Sequence, residues 1–346
     1  MTQTPGADTP RSPFLAEVKD AVTPRATMLV TGAVGLALLF IASYVGALHD
    51  PRPKNVPLGV VAPGVAAQQT VDRLENLPDD PLDPRTVADA ATARKQILNR
   101  EIDGALLVDP NSTTDTLLVA TGGGRVLAAT LESLVATLER SEARTLRTID
   151  VAPADRHDAN GLTSFYATVG WCVGGYLCAS IMTISSGAGR PTPRRSVIRL
   201  IVMALVAIAA GLGGALIIGP ILGALPGSLA ALWGVGALIT FAVGAATLAF
   251  QAIFGMAGIG LVILIVVILG NPSAGGALPL PLLPPFWKDI GPALPPGAGT
   301  WATRSIAYFK GNDTTASLLI LSAWAAAGAA ITLLAAKLRT GGTRRP

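Results

Sequence analysis

Charge is what this sequence has least of. No Asp, Glu, Lys, Arg or His occurs in residues 200–287, and further uncharged runs cover 26–48, 159–189 and 314–336. Charged residues make up 14% of the 346, against about 25% in an ordinary soluble domain. A chain that is a soluble enzyme throughout is excluded, and so are a disordered chain and a coiled coil. Two cysteines exclude a disulfide framework and a multi-cysteine metal site. Two histidines leave little for metal catalysis.

What is present is apolar sequence: 51% hydrophobic residues and a mean hydropathy of +0.53. About 20 uncharged apolar residues span a bilayer core, so the long run holds several passes. The spacing predicts six membrane helices, at about 26–48, 162–184, 198–218, 229–250, 253–270 and 316–336. Gly219-Pro220, Leu225-Pro226-Gly227 and the Gln251 region supply the breaks, because proline lacks the N–H and clashes with the preceding turn. The Gln251 break has an alternative, one long kinked helix and five passes. The first apolar stretch is longer than the core of a signal peptide and reads as an uncleaved helix.

Six passes with the N-terminus inside place three basic groups in the cytoplasm: Arg11, Lys19 and Arg25; Arg190, Arg194, Arg195 and Arg199; Lys337, Arg339, Arg344 and Arg345. This agreement sets the expected orientation, with both termini cytoplasmic in a bacterial plasma membrane. It also explains the +4 net charge. Cytoplasmic segments carry +8, residues 49–161 carry −5, and the outer Pro-rich segment carries +1. The basic balance therefore records membrane orientation and is no argument for a nucleic-acid partner.

Outside the lipid, residues 1–25 form the cytoplasmic N-terminus. Within it, 12–24 reads as a short amphipathic helix, with Phe14, Leu15, Val18 and Val22 on one face, either lying in the interface or serving as a solvated lead-in. Residues 49–161 read as a small α/β domain: strands at 56–61, 104–108, 115–120 and 148–151, helices at 67–77 and 87–100, and a helix after Gly122-Gly123-Gly124. Those glycines lack the Gly-Lys-Ser/Thr ending of a phosphate loop and read as a strand-to-helix turn. No ATPase motif occurs in the chain, so no cofactor is expected on it. Residues 271–315 hold eight prolines before Ala298, with Trp287, Trp301, Tyr308 and Phe309. This composition suits an outer or re-entrant segment packed at the interface. Residues 337–346 form a basic tail. The expected fold is thus an α-helical polytopic membrane protein, one helix plus five, with a small α/β extracytoplasmic domain between helices one and two.

The stretches IASYVGALHDPRP (41–53), ATARKQILNREIDGALLV (91–108) and the Pro-rich 271–309, with LLPPFWKDIGPALPPGAGTWATRSIAYF at its end, resemble the ABC-2 type transporter permeases. The branch is that of the phage-infection-protein-like (YhgE/Pip) and DUF3533 membrane proteins, although the very large ectodomain of its longest members is missing here. The resemblance covers nearly the whole chain. It implies an export permease working as a homodimer or with a second permease, energised by ATP on a separate nucleotide-binding subunit. The expected cargo is a hydrophobic or amphipathic drug, lipid or peptide. The alternative is a non-transporting receptor, scaffold or assembly factor acting through the ectodomain.

Candidate residues each have a plainer reading beside the functional one. Gln251, Asn271, Ser273 and Arg304 are candidates for the substrate path. Gln251 otherwise forms a tight inner turn, Asn271 and Ser273 a helix stop, and Arg304 a headgroup-facing charge. Arg190, Arg194, Arg195 and Arg199 serve for lipid anchoring or for docking an ATPase. Gly170 and Gly174 have the spacing of close helix packing. Cys172 and Cys178 read as inert thiols, and His49 and His157 show no metal-ligand spacing.

Overall fold

The computed structural model describes residues 22–185 and 192–341, together with Glu17. The amphipathic helix expected at 12–24, apart from Glu17 and its last residues, lies outside the described residues, as do Arg11, Lys19, Arg190, Arg344 and Arg345. The chain divides into two units, residues 1–42 and 43–346. The first contains most of α1 (Pro24–Leu48), and its apolar side chains, Met28, Leu29, Val30, Leu38 and Ile41 among them, are exposed.

In the second unit the polar region folds as a five-stranded sheet with helices on both faces. In chain order it runs β1 (Val56–Val61), α2 (Val65–Glu75), β2 (Leu82–Thr86), α3 (Ala90–Leu98), β3 (Gly104–Leu107), β4 (Thr114–Val119), α4 (Arg125–Ser141) and β5 (Thr145–Asp150). The strand order is β2-β1-β3-β4-β5, all parallel except the β3–β4 pair. Period-two alternation in β1 puts Val56, Leu58 and Val60 in one core with Leu131 and Val135 of α4 and Leu74 of α2. The other face packs Ala93 and Ile97 of α3 against Ile102, Ala105 and Leu118. Asp89 starts α3 by accepting the Thr92 N–H at 2.7 Å. Strand β2 is absent from the sequence reading. Its residues, Leu-Asp-Pro-Arg-Thr, carry charge and a proline that only an edge strand tolerates.

The remainder is mostly helical: α5 (Thr163–Ser185), α6 (Pro193–Leu216), α7 (Leu229–Phe254), α8 (Ala257–Val262), the short α9 (Pro285–Ile290), α10 (Pro295–Tyr308) and α11 (Thr315–Gly341). Wider π-type turns prolong α6 through Ile217–Ile221, where Pro220 removes a donor, and α8 through Ile263–Gly270. Thr192 caps α6 with Pro193 in its first turn, and Ser228 caps α7. Helix α7 is the hub, packed on α5, α6 and α11. In its most apolar window 56% of residues are buried, against a third or less in the other long helices.

Five described helices, counting α1, are long and apolar enough to cross a membrane; six were expected. The fifth expected pass is a helix over Ala257–Gly270, 14 residues. At 1.5 Å per residue it is about 21 Å long, short of a ~30 Å hydrocarbon core. Nor does the break before it fall at Gln251. That residue is buried in the last turns of α7, and the chain turns at Gly255, whose φ of 62° suits glycine.

The short helix nevertheless covers ground. Gly258 lies against the backbone of Phe250 and Gln251, and Gln251 accepts a 2.6 Å hydrogen bond from Thr183 near the end of α5. Gly276 lies against Phe165 in the first turn of α5. Residues 258–276 therefore run from one end of α5 to the other, the first part helical and the last part turns. Helix α10 then fills the space beside those turns. Gly270 meets Pro296, Gly299 meets Thr168 and Ile239, and the Trp324 indole of α11 donates to Ala293 O at 2.9 Å.

Candidate functional site: an ectodomain seam above an apolar groove

The α/β domain sits on α10 through a seam built from three parts of the sequence. Arg100, in the turn after α3, donates to Ser305 Oγ at 2.6 Å and to the Trp301 carbonyl at 3.2 Å. Its guanidinium lies 3.3 Å from the centroid of the Trp301 ring and 4.9 Å from that of Phe309. Stacking of this kind with two donated hydrogen bonds is a use of arginine that lysine cannot reproduce. Asn312 donates to the Leu98 carbonyl at 2.9 Å beside it. The glycine triplet is the second part. Gly122 lies flat on Tyr308, Gly123 on Phe309 and Gly124 on Pro279. Close approach is needed at two of them: a side chain at Gly122 would run into Tyr308 and one at Gly124 into Pro279, while Gly123 is in ordinary contact with Phe309. The third part is Leu282 of the Pro-rich segment, which is buried in the core of the α/β domain, with Lys54 N–H donating to Pro281 O at 3.0 Å.

Burial pushes Arg100 down to about 9, and the like charge of Arg304 adds to the effect. Asp103 is the counter-charge on the domain side, and burial pushes it up to about 6. Two cavities of about 20 Å³, each the size of one water, lie beside these groups, lined also by Gly123 and Leu127.

Arg304 is 3% exposed and donates to Gly275 O at 2.9 Å, with longer contacts to the carbonyls of Gly161 and Gly276. It thus stitches the turns after α8 to the entry of α5. Asp158, also buried, accepts from Tyr308 Oη at 2.7 Å and from the Thr163 N–H and hydroxyl at 3.0 and 2.7 Å. One carboxylate therefore ties α10 to the start of α5.

Next to this tie, between α5 and the end of α6, lies an open-sided groove of about 760 Å³. His157, Thr163 and Tyr166 stand at its ectodomain end, and the rest of its wall is Ala, Gly, Ile, Leu and Trp171. Trp171 spends its indole N–H on Ala210 O at 3.1 Å.

The residues singled out from sequence do not converge on one place. Gln251 lies at the far end of the helices, bonded to Thr183, with its buried amide nitrogen unpartnered among the described residues. Ser273 is buried and donates to Leu269 O at 2.7 Å, closing the end of the α8 stretch. Asn271 has a buried carbonyl oxygen that is unpartnered among the described residues. Arg304 is buried in protein, away from any headgroup. Arg194, Arg195 and Arg199 fall in the first two turns of α6; Arg190 lies outside the described residues. At Gly170 and Gly174 an added Cβ would meet nothing within 4 Å, so neither makes a close helix contact among the described residues. Close packing falls instead to Gly175 against Thr240 and Gly244, and to Gly328 against Ala245 and Ala246. Cys172 is buried and both thiols are free.

Sequence reasoning gave no role to Arg100, Asp103 or Asp158, and noted Tyr308 only as one of the aromatic residues of the Pro-rich segment. Arg100 ends the helix expected at 87–100, and Asp103 falls between it and the next strand. The one available signal was Trp301 and Phe309, eight residues apart in a proline-rich segment with few cations of its own. No family model, curated protein or solved structure matches the chain.

Proposed function

We propose that this chain is the membrane permease subunit of an ABC-2 type exporter, moving a hydrophobic or amphipathic compound outward while a separate ATPase supplies the energy. One observation carries the reading: the pair of part-depth elements, 257–276 and α10. An anchor needs continuous helices. A broken crossing that brings turns, Arg304 and the buried hydroxyls of Thr300, Thr303 and Ser305 among apolar helices is structure used where a cargo passes, and irregular backbone at such depth is tolerated only inside protein or along a cavity. Counting 257–276 as a crossing gives six passes. The basic segments at both termini and at the start of α6 then share one side, as the positive-inside rule asks. In this arrangement the α/β domain is extracytoplasmic, and Arg194 and Arg195 face the cytoplasm, where an ATPase docks.

The test is purification of the chain with its nucleotide-binding partner, followed by ATP-dependent export of a fluorescent amphiphile from vesicles. Arg194→Glu with Arg195→Glu weakens the complex. If no ATPase associates and deletion of the chain leaves efflux unchanged, the exporter reading fails and the ectodomain scaffold takes its place.

A further inference from the structure

We infer that the groove between α5 and α6 is a binding site for a single-tailed amphiphile, tail against Gly170 and Gly214 and head beside His157 and Tyr166. The inference rests on the membrane-spanning reading above and names the ligand class its export path would hold.

Size comes first. A volume of about 760 Å³ is that of a small-molecule site. Its height follows from the helices. On α5 the lining runs from Thr163 to Trp171, and on α6 from Ala210 to Leu222, which at 1.5 Å per residue gives about 12 and 18 Å. Half of a ~30 Å hydrocarbon core is about 15 Å. The groove therefore has the depth of one leaflet, beginning at the ectodomain face and ending near mid-membrane.

Polarity comes second, and it is graded. His157, Thr163 and Tyr166 are confined to the ectodomain end. Below them the wall offers no free donor, since the Trp171 N–H is held by Ala210. Among the described residues, Thr163 gives its hydroxyl to Asp158 and His157 sits 3.2 Å from Asp155, so the rim offers an anion carboxylates rather than a free cation. The Tyr166 side chain, 62% exposed, is the freest polar group there. A head that both donates and accepts hydrogen bonds fits this rim better than a bare anion.

The concavity comes third. Gly214 lies flat on the Trp171 ring, so a side chain there is barred. Gly170 is the reverse case: it lines the groove, and a side chain added to it meets nothing of the protein. Its bareness is space that only an occupant uses.

The two open glycines give the experiment. Gly170→Leu fills the groove without disturbing the helix contacts, and Gly174→Leu adds the same side chain to the same open side but outside the groove. The purified chain is photolabelled with a lysophospholipid bearing a diazirine in its tail, without any ATPase. Expected are adducts on α5 and the end of α6, cut at least fivefold by Gly170→Leu and unchanged by Gly174→Leu, with all three proteins equally stable to heat. Equal labelling of the two variants, or adducts only elsewhere, overturns the inference. So does a Gly170→Cys variant that joins two copies in a disulfide-linked dimer in membranes, because the groove is then covered by a second chain. An unsubstituted chain that is labelled in the groove but exports nothing defeats the exporter reading alone, and one that exports but is not labelled there defeats this site alone.

Discussion

The α/β domain and the helical body of the same chain hold themselves together by different means. In the domain, Leu58, Leu106, Leu117 and Leu131 are essentially sealed from solvent between sheet and helices, and the charges face outward or pair. The driving force is removal of apolar surface from water, about 25 cal/mol per Å². The body has no such gradient, for its outward surface is itself apolar: Ile181, Leu205, Ile208, Leu319 and Leu334 are all exposed. Helices surrounded by lipid gain from close fit and from satisfied polar groups. That is what Gly175 against Gly244, Gly328 against Ala245, and Arg304 against three carbonyls supply. A given change should therefore act oppositely in the two regions: shortening a side chain harms the domain, and lengthening one harms the body.

Arg304 is where this contrast breaks most sharply. Arg304→Met keeps the bulk and removes the donors, leaving the carbonyls of Gly275 and Gly276 and the Asp158 charge without their cation. Loss of about 3–5 kcal/mol is expected, the range for stripping one member of a buried charged set. This is enough to abolish a monodisperse peak on size exclusion in detergent. A normal elution profile and melting point for Arg304→Met would show that the stitching is dispensable. Next come the paired changes. Leu131→Ala removes a fully buried side chain of the domain core and should destabilise by about 2–5 kcal/mol. Gly328→Ala forces a methyl into the backbone of Ala245 and Ala246 and should cost about 1–3 kcal/mol. Chemical denaturation followed by amide exchange, read separately over the domain strands and over α7 and α11, checks both; if Gly328→Ala stabilises, as a mid-helix glycine replacement does in water, close fit is not what holds α11 to α7.

The two regions also differ in how much the sequence disclosed. Alternation in Val-Pro-Leu-Gly-Val-Val and the heptad-like leucines of α4 made the sheet and its main helix legible, because water enforces that pattern. Uncharged length made the long helices legible for the same reason. The misses share a cause. Strand β2 has no apolar alternation, since an edge needs only its backbone to pair. The shortness of the 14-residue helix over 257–270 and the existence of α10 were not legible, because composition cannot separate a full crossing from half of one. Glycines show the limit most plainly. Gly122-Gly123-Gly124 is the strand-to-helix turn its sequence suggests, but its second use, as a bed for Tyr308, Phe309 and Pro279, has no local signature, and neither does the open space beside Gly170 and Gly174. Which face a glycine occupies depends on neighbours that local sequence does not name.

Arg100 tests whether the two regions act as one. Arg100→Ala removes two hydrogen bonds and the stack on Trp301 while leaving both cores intact, so global stability should fall by only about 1–2 kcal/mol. The larger effect should be local: at least tenfold faster amide exchange in 301–309 and in the turn at 98–100. Arg100→Lys should recover little of it, because an ammonium lacks the planar face. Uniform exchange across the chain in Arg100→Ala would mean that the glycine bed and Leu282 hold the seam without it.

The smallest effect sharpens the comparison from within the domain. Glu139 of α4 and Asp115 of β4 are both buried, and Arg144 binds the Asp115 carboxylate through two nitrogens at 2.6 Å. Burial would raise Asp115, but hydrogen bonds from Arg144 and from the Asp109 N–H hold it below the usual carboxylate range. Glu139 takes the other side. Burial, then the hydrogen bond with Asp115 and its charge, push Glu139 up to about 7. The folded domain therefore holds a proton on Glu139 that the unfolded chain releases near 4.5. Between about pH 4.5 and 7 the folded form binds more protons than the unfolded one, so stability rises as pH falls through that window and is lost as pH climbs through 7. Below the usual range of Asp115 the sign reverses, because protonating that carboxylate weakens its Arg144 pair. Glu139→Gln, which keeps the neutral shape at every pH, should flatten the upper window and leave the acid limb in place. Thermal melts of the full chain at pH 5, 6, 7 and 8 decide it, and a wild-type melting point that rises steadily across that series would mean Glu139 is ionised in the folded domain and Arg144 serves both carboxylates.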